Sequence, residues 1–226
     1  MTATENAAWV DYWQTLPEGR LLFAPEAEEF ARNLLAAFPL NKSMRVLDFG
    51  CGYGSVTARL APLVNEVRFW DAAASMRDAA SRNLKPFVNA ISDDEAAGPF
   101  DLIVVNSVVQ YMSRDELRER LAEWHARLTP TGSLVLSDLI PKSHSSWGDI
   151  TSLLRFSVRR GYFFTALRNT MIERGRYHKL CDRVPLLYID PAELERDATA
   201  AGFRLRWLPR NLTHFRTRRT AVLTHA

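Results

Sequence analysis

Three glycines at alternate positions, Gly50, Gly52 and Gly54, constrain the fold of this chain more than any other feature of its sequence. They follow the segment Arg45–Phe49, which is short and largely apolar and therefore predicts a buried strand. Glycine lacks Cβ, so the backbone at these positions can turn sharply and approach a ligand closely. The first N–H groups of a following helix can hold an anion or a carboxylate. The run predicts a strand, a turn and a helix. The turn would be either a ligand-binding site or an ordinary tight connection between the strand and the helix.

Strand-like segments alternate with helical ones along the rest of the chain, a pattern typical of an α/β fold with a mostly parallel sheet. The strand-like segments are Arg45–Phe49, Glu66–Trp70, Phe87–Ile91, Phe100–Val105, Ser133–Ser137, Phe203–Leu208 and Thr220–Leu223. The third of these segments has the weakest strand-like pattern. A capping box at Ser113 and an aspartate at Asp190 mark two helix starts. Pro130 and Gly132 are expected to end the first of these helices before the fifth strand begins.

Asp71 ends the second predicted strand, roughly 20 residues after the glycine turn, where an acidic residue can bind a ribose. Its carboxylate can accept hydrogen bonds from both ribose hydroxyls. The same residue could instead cap the helix that begins near Ala72. The glycines follow a G-x-G-x-G pattern, with Asp48 just before them, whereas dinucleotide-binding turns follow G-x-G-x-x-G.

The run Val46–Gly54 resembles the first motif of the class I S-adenosylmethionine-dependent methyltransferases. Three later segments, Phe100–Tyr111, Leu128–Leu136 and Asp190–Phe203, resemble other parts of the same family. The resemblance covers residues 26–141 and 189–226. It implies a single Rossmann-like domain with a seven-stranded, mostly parallel sheet and helices on both faces. The implied methyl donor is S-adenosylmethionine.

In this family the glycine turn wraps the methionine part of the cofactor, and the acidic residue before it orients the ammonium group. Carried over to this chain, the resemblance implies cofactor contacts at Asp48, Gly50, Cys51, Gly52, Gly54, Asp71, Ala72, Met76, Asn106 and Val108. The weak third strand leaves the adenine contacts open, with Ile91 and Ser92 as candidates. The alternatives are a non-catalytic binding or scaffold domain and a nicotinamide-dependent dehydrogenase.

Polar residues after the fourth and fifth strands are candidates for acting on the methyl acceptor, because ligands of open α/β sheets lie beyond the carboxyl ends of the strands. The candidates for catalysis are His144, Tyr111 and Asp138. His144 could act as a general base for an acceptor hydroxyl or be a solvated loop residue. Asp138 could bind substrate or only end the strand. The resemblance favours transfer to the oxygen of a small molecule, and no metal-ligand spacing predicts a metal site.

Residues 142–188 carry nine Lys or Arg against three Asp or Glu, a net charge of +6 in a chain whose net charge is +3. Apolar residues alternate there with arginines, which predicts a lid of amphipathic helices after the fifth strand, interrupted near Gly161. The simplest interpretation is a lid that packs its apolar face on the core. The arginines could also bind an anionic substrate, or the lid could lie on an anionic membrane beside a lipid-linked acceptor. No motif for nucleic-acid binding is present.

Residues 1–23 are rich in aromatic side chains and irregular in pattern, and they are expected to form a helical N-terminal cap. Tyr12 and Trp13 would close over the cofactor or pack on the domain. The chain begins without the basic and apolar run of a signal peptide. Its two cysteines, Cys51 and Cys181, are too few for a disulfide framework. A cytoplasmic protein is the expectation.

Overall fold

The protein, seen in a computed structural model, is described at residues 3–16, 23–94, 97–143 and 146–226, with the side chains of 3–6, 23, 146 and 165–174 left out. A seven-stranded sheet forms its centre. The strands are β1 Arg45–Phe49, β2 Glu66–Trp70, β3 Ala90–Ser92, β4 Phe100–Asn106, β5 Leu128–Leu139, β6 Phe203–Trp207 and β7 Arg219–His225. Their order is β3-β2-β1-β4-β5-β7-β6, and β7 is antiparallel to both of its neighbours. This order confirms the α/β fold with a mostly parallel sheet.

Helices connect most of these strands. The α-helices of the described part are α1 Ala3–Gln14, α2 Phe23–Ala37, α3 Thr57–Leu60, α4 Ala74–Asn83, α5 Arg114–Ala126, α6 Ser146–Arg159, α7 Phe163–Arg183 and α8 Pro191–Ala200. The Ser113 hydroxyl accepts a hydrogen bond from the N–H of Glu116 at 3.0 Å and begins α5. The Asp190 carboxylate accepts one from the N–H of Ala192 at 3.0 Å and begins α8. Both predicted helix starts are confirmed.

The central strand β4 is buried on both faces of the sheet. Ile103 and Val105 pack on one face with residues of α5 and α8, while Leu102 and Val104 pack on the other with residues of α2 and α3. All four side chains are at most 1% exposed. Full burial of such a side chain stabilises the fold by about 1.5–3 kcal/mol. The centre of the sheet is therefore tightly packed, and it holds the ends of its strands and the loops that follow them in fixed positions.

The N-terminal residues form α1, a regular helix, although the sequence showed no helical periodicity there. The aromatic side chains of α1 pack against Met76 of α4 and Tyr177 of α7. Because this helix contacts other helices and loops, its apolar residues do not follow the single stripe that packing on a sheet would require.

The third and fifth strands differ from the sequence prediction. The third strand is three residues long and begins at Ala90 rather than Phe87. The fifth begins at Leu128 and continues through Pro130 and Gly132, which were expected to precede it. The register on β4 changes between Phe100 and Leu102, so β5 accommodates the extra residues as a bulge. A Cβ at Gly132 would lie 2.8 Å from the Phe100 carbonyl oxygen, so this approach requires glycine.

A buried ion pair holds the loop that follows β3. Both oxygens of Asp93 accept hydrogen bonds from Nη2 of Arg127, at 2.8 and 2.7 Å. The Arg127 Nε donates to the carbonyl of Ala97 at 2.9 Å. The side chain of Asp93 is 1% exposed and that of Arg127 is 15% exposed. The pair therefore joins this loop to the end of α5.

Asp93→Ala is expected to lower the free energy of unfolding by about 3–5 kcal/mol, because Arg127 would stay buried without its partner. The neighbouring Asp94 provides a control, since its carboxylate is 69% exposed and lies 3.5 Å from Arg68. Asp94→Ala should cost less than about 1 kcal/mol. Urea denaturation measures both variants, and equal losses would contradict the importance of burial at Asp93.

Candidate active site

A cavity of about 320 Å³ lies beyond the carboxyl ends of β1, β2, β4 and β5. The strand order reverses between β1 and β4, and open α/β sheets bind their ligands at such a switch point. The volume is in the range of small-molecule sites, roughly 300–1,000 Å³. The walls come from the glycine turn, the ends of these strands, α1, α2 and the loop before β7.

The glycine turn has left-handed backbone at all three glycines, with φ of +80° at Gly50, +54° at Gly52 and +76° at Gly54. The N–H of Gly50 donates to the carbonyl of Trp70 at 2.7 Å. A Cβ at Gly50 would lie 2.1 Å from Cγ2 of Val108, whereas a Cβ at Gly52 would meet no atom within 4 Å. Gly50 therefore allows contact with the loop after β4, and Gly52 borders the open space of the cavity.

Gly54 does not line the cavity. A Cβ at this position would lie 3.0 Å from Cδ1 of Leu84, at the end of α4. Its N–H donates to the carbonyl of Cys51 at 2.9 Å and closes the turn. The position of Gly54 thus does not support the cofactor contact predicted for it and gives it a role in the turn itself.

Asp48 lies near the end of β1 with a buried carboxyl group that lines the cavity. One of its oxygens accepts a hydrogen bond from the Thr57 hydroxyl at 2.6 Å. Burial raises its pKa to about 6, although the hydrogen bond from Thr57 acts in the opposite direction. At neutral pH the group is mainly a carboxylate, and a cationic ligand group beside it would stabilise that charged form.

Asp71 follows β2 and links two loops at the cavity. One carboxylate oxygen accepts a hydrogen bond from the N–H of Gly52 at 2.9 Å, and the other accepts one from the N–H of Ala73 at 3.0 Å. Burial raises the pKa of Asp71, and the two N–H groups lower it. Ala73 rather than Asp71 occupies the N-cap position of α4. The side chain therefore holds the glycine turn in place while it borders the cavity.

The other predicted cofactor residues also border the cavity; they are Cys51, Ala72, Met76, Asn106 and Val108. Oδ1 of Asn106 is buried without a hydrogen-bond donor in the described part of the chain, and so is Oε1 of Gln110. A buried amide oxygen without a donor costs free energy. Both side chains border the cavity, although these two oxygens have almost no exposed surface.

Aromatic side chains of α1 and α7 close one side of the cavity. Trp9 lies 4.8 Å from Tyr111 and 5.5 Å from Tyr177, measured between ring centroids. Trp13 packs on Tyr111 at 5.4 Å, and Tyr12 packs behind Trp9 at 6.1 Å. Trp9, Trp13 and Tyr111 border the cavity. Burial raises the pKa of Tyr111, so its phenol is neutral at neutral pH. Its catalytic role stays a prediction.

Asp138 is 1% exposed and accepts hydrogen bonds from four side chains. The donors are Ser107 at 2.9 Å, Asn211 at 3.0 Å, Thr213 at 2.6 Å and Arg218 at 2.5 Å. Asp138 and Ser107 both have left-handed backbone, with φ of +65° and +59°. Burial would raise the pKa of Asp138, but Arg218 and the hydroxyl and amide donors hold it below its usual value. This geometry supports a positioning role for Asp138 rather than that of a base.

Among the described residues that border the cavity there are five carboxyl groups and two guanidinium groups; they are Glu26, Asp48, Asp71, Glu116 and Asp138, and Arg120 and Arg218. Arg218 donates to Asp149 of α6 at 2.7 Å in addition to Asp138. Arg120 pairs with Glu123 at 2.7 Å. Both guanidinium groups are therefore already ion-paired, and the cavity favours cationic or neutral groups over anions.

Glu26 of α2 and His214 of the loop before β7 border the cavity, and the sequence had not indicated either as functional. Among the described residues no donor forms a hydrogen bond or ion pair with the Glu26 carboxyl, and burial raises its pKa to about 7. The His214 ring stacks on Phe156 at 4.5 Å, with both nitrogens buried and without a described partner. Burial lowers the pKa of His214 to about 4. No local sequence signal reveals these residues, because long-range packing brings them to the cavity.

His144 lies outside the described residues, so its predicted role as a base stays a prediction. Ile91 and Ser92, the candidates for adenine contacts, do not border this cavity. Residues 142–188 contain α6 and α7, separated near Gly161 as the sequence predicted.

None of the helices within the described ranges combines the length and the apolar character needed to cross a bilayer. Nor do three or more His, Cys, Asp or Glu side chains within those ranges gather in a way that could hold a metal ion.

Comparison with known proteins places this site in a family. A family model described as a methyltransferase domain matches residues 23–207. The chain is 35% identical over 122 residues to the trans-aconitate 2-methyltransferase of Azoarcus sp. (strain BH72), covering 51% of this chain and 47% of that protein. It is 30% identical over 122 residues to the malonyl-(acyl-carrier protein) O-methyltransferase of Enterobacter lignolyticus (strain SCF1), covering 50% and 48%. The chain thus spans about half the length of these curated relatives.

Solved structures share the fold over a larger part of the chain. The magnesium protoporphyrin IX methyltransferase of Synechocystis PCC 6803 with bound S-adenosylmethionine has a TM-score of 0.61 and 16% identity, covering 99% of this chain and 98% of that one. A mitomycin 7-O-methyltransferase has a TM-score of 0.63 and 14% identity, covering 89% and 54%. The likeness confirms the Rossmann-like fold.

Gly50→Ala is expected to lower the free energy of unfolding by about 2–5 kcal/mol, because a left-handed alanine costs about 1–2 kcal/mol and overpacking against Val108 adds about 1–3 kcal/mol. Gly52→Ala should cost only the contribution of the left-handed backbone, about 1–2 kcal/mol, since its Cβ meets no atom within 4 Å. Denaturant unfolding of both variants measures the difference. If both lost the same stability, the close approach of Gly50 to Val108 would be contradicted.

Proposed function

Because the chain belongs to the class I S-adenosylmethionine-dependent methyltransferases, we propose that it transfers the methyl group of S-adenosylmethionine to an oxygen of a small molecule. The observation that carries this proposal is the position of Asp48 and Asp71 beside the glycine turn, in the same cavity as the unpaired polar groups near β4 and β7. One cavity can thus hold a donor and an acceptor side by side.

The cofactor would occupy the part of the cavity near β1 and β2. Asp48 supplies a buried carboxylate for the ammonium group, and Asp71 supplies oxygens for the ribose hydroxyls. The open space at Gly52 leaves room for the methionine part. A cavity with more carboxyl than guanidinium groups also favours the positive charge of a sulfonium. These residues bind and orient the methyl donor.

The acceptor would occupy the part near β5 and β7, beside Tyr111 and His214. Methyl transfer from a sulfonium is an in-line displacement, so the protein accelerates it mainly by positioning the two reactants. Trp13 and Tyr111 exclude water from one side. The names of the two curated relatives, which refer to trans-aconitate and to O-methylation of malonyl-(acyl-carrier protein), support a small or carrier-linked acceptor that is methylated at oxygen.

Asp71→Ala is expected to weaken S-adenosylmethionine binding about ten- to hundredfold, because hydrogen bonds to a charged group contribute about 1.5–3 kcal/mol. Asp78→Ala on the exposed side of α4 is the matched control and should bind like the unmodified protein. Isothermal titration calorimetry measures both affinities. Unchanged affinity in Asp71→Ala would remove the ribose assignment.

Methyl transfer itself is tested with labelled cofactor. The protein is incubated with methyl-labelled S-adenosylmethionine and a panel of small hydroxyl compounds and carboxylic acids, and labelled products are separated. Oxygen-linked label is the expected result. Binding of S-adenosylhomocysteine without any transfer would instead favour a non-catalytic binding domain.

A second candidate function places the same activity at a membrane surface. Trp147 and Val158 of α6 are 77% and 62% exposed, and Phe164 at the start of α7 is 84% exposed. Trp147 and Val158 are about three helical turns apart and lie on the same face. The exposed Arg155 and Arg159 belong to the same helix, in a segment of net charge +6. Apolar side chains among arginines are typical of helices that bind anionic membranes.

The double variant Trp147→Ser and Val158→Ser is expected to weaken binding to phosphatidylserine vesicles at least about a hundredfold in co-sedimentation, because burying each apolar side chain contributes about 1.5–3 kcal/mol. Val88→Ser is the control, since Val88 is 96% exposed and lies outside the lid. Binding should also fall as salt rises. No binding of the unmodified protein to these vesicles would exclude the membrane candidate.

A further inference from the structure

Resting on the proposed function, we propose that Glu26 receives the proton of the methyl acceptor and that this acceptor is an uncharged hydroxyl compound with a flat ring. Glu26 borders the cavity on the side where α2 meets the loop before β7. Neither its place in the first turn of α2 nor the family resemblance assigns it a role.

The charges of the cavity favour an uncharged acceptor. Among the described residues, five carboxyl groups border the cavity, and the two guanidinium groups there are held in ion pairs. Arg218 in particular lies between Asp138 and Asp149, with its guanidinium 4.2 Å from the Phe215 ring centroid. His214 is neutral at neutral pH, because burial lowers its pKa. An anionic acceptor would therefore meet repulsion from these carboxylates, without an unengaged cation in the described wall to offset it.

Glu26 differs from Asp138 and Asp71 in having no hydrogen-bond donor on its carboxyl group among the described residues. Asp138 is saturated by four donors, and Asp71 is bonded to two backbone N–H groups. The Glu26 carboxyl has no hydrogen bond within the described residues. Its geometry thus leaves both oxygens available to an acceptor hydroxyl.

The surroundings of Glu26 also suit proton transfer near neutral pH. The charged and titratable groups that face it are Asp138 of β5, Arg218 before β7 and Tyr162 between α6 and α7. Burial and the negative charge of Asp138 raise the pKa of Glu26 to about 7, and Arg218 lowers it. A general base is most effective when its pKa lies near the working pH. His214, with a pKa of about 4, is the weaker base of the two.

The aromatic lining of the cavity favours a flat ring. The residues Trp13, Tyr111, His214 and Phe215 all border the cavity. Aromatic rings pack well on one another in stacked or edge-to-face geometry.

In the proposed step, a lone pair of the acceptor oxygen forms a bond to the methyl carbon of S-adenosylmethionine. The carbon–sulfur bond breaks, and its electron pair stays on sulfur. The acceptor O–H proton passes to the Glu26 carboxylate. The products are a methyl ether, neutral S-adenosylhomocysteine and protonated Glu26, which returns its proton to water. Charge and atoms balance without another reactant.

Phenol and benzoate are the probes for this proposal, because they share a ring and differ in charge. Their binding to the complex with S-adenosylhomocysteine is measured by ligand-observed NMR between pH 5.5 and 8.5. We expect phenol to bind at least about tenfold more tightly than benzoate. Its affinity should rise as pH increases through about 7, because the ionised Glu26 accepts its hydrogen bond more strongly than the protonated form does. Phenol itself stays protonated in this range.

Glu26→Gln should weaken phenol binding about tenfold at pH 8 and make it independent of pH. Glu28→Gln, at an exposed neighbour on α2, is the matched control and should retain the pH dependence. Binding of benzoate equal to phenol, or of neither probe, overturns the acceptor class. Identical behaviour of Glu26→Gln and Glu28→Gln overturns the role of Glu26. Calorimetry with S-adenosylhomocysteine alone, together with the methyl-transfer assay, separates these outcomes from a failure of the proposed function, which would show as absent cofactor binding or as absent transfer to every compound of the panel.

Discussion

Asp138 holds a negative charge inside the protein, and three separate parts of the chain have to meet around it. An isolated buried carboxylate would cost several kcal/mol. Ser107 after β4, Thr213 before β7 and Arg218 supply the donors that compensate this charge. Arg218 in turn brings in α6 through Asp149. The part of the cavity near β5 and β7, which is proposed to hold the acceptor, has its shape because these segments meet around the buried charge.

The cofactor side could be predicted from the sequence because it is built from neighbouring segments. The bounds of β1 and β2 coincide with the prediction, and Asp48, Gly52 and Asp71 all border the cavity. The acceptor side could not be predicted in the same way. Glu26 and Arg218 come from opposite ends of the chain, and only the packed fold brings them together. Similarly, β5 extends beyond its predicted start because pairing with β4 overrides the local tendency of Pro130 and Gly132 to end an element.

Charge along the sequence and charge around the cavity have opposite signs. The segment 142–188 carries +6, but carboxyl groups outnumber guanidinium groups in the cavity wall. Long arginine side chains can pack their stems on the protein while the charged ends stay in water. Exposed residues such as Arg155 and Arg159 fit this description. Regional net charge therefore describes the outer surface of the lid and not the site that the lid adjoins.

The left-handed backbone at Ser107 and Asp138 affects which substitutions these two positions can accept. Such conformations cost roughly 1–3 kcal/mol each in residues other than glycine. Glycine at either position would relieve the strain, and it would also remove one partner of the 2.9 Å hydrogen bond between the two side chains. At Asp138 the glycine would also leave Arg218 buried without this partner, which costs about 3–5 kcal/mol and exceeds the strain relieved. Selection for heat resistance alone would therefore retain Asp138 and act on Ser107.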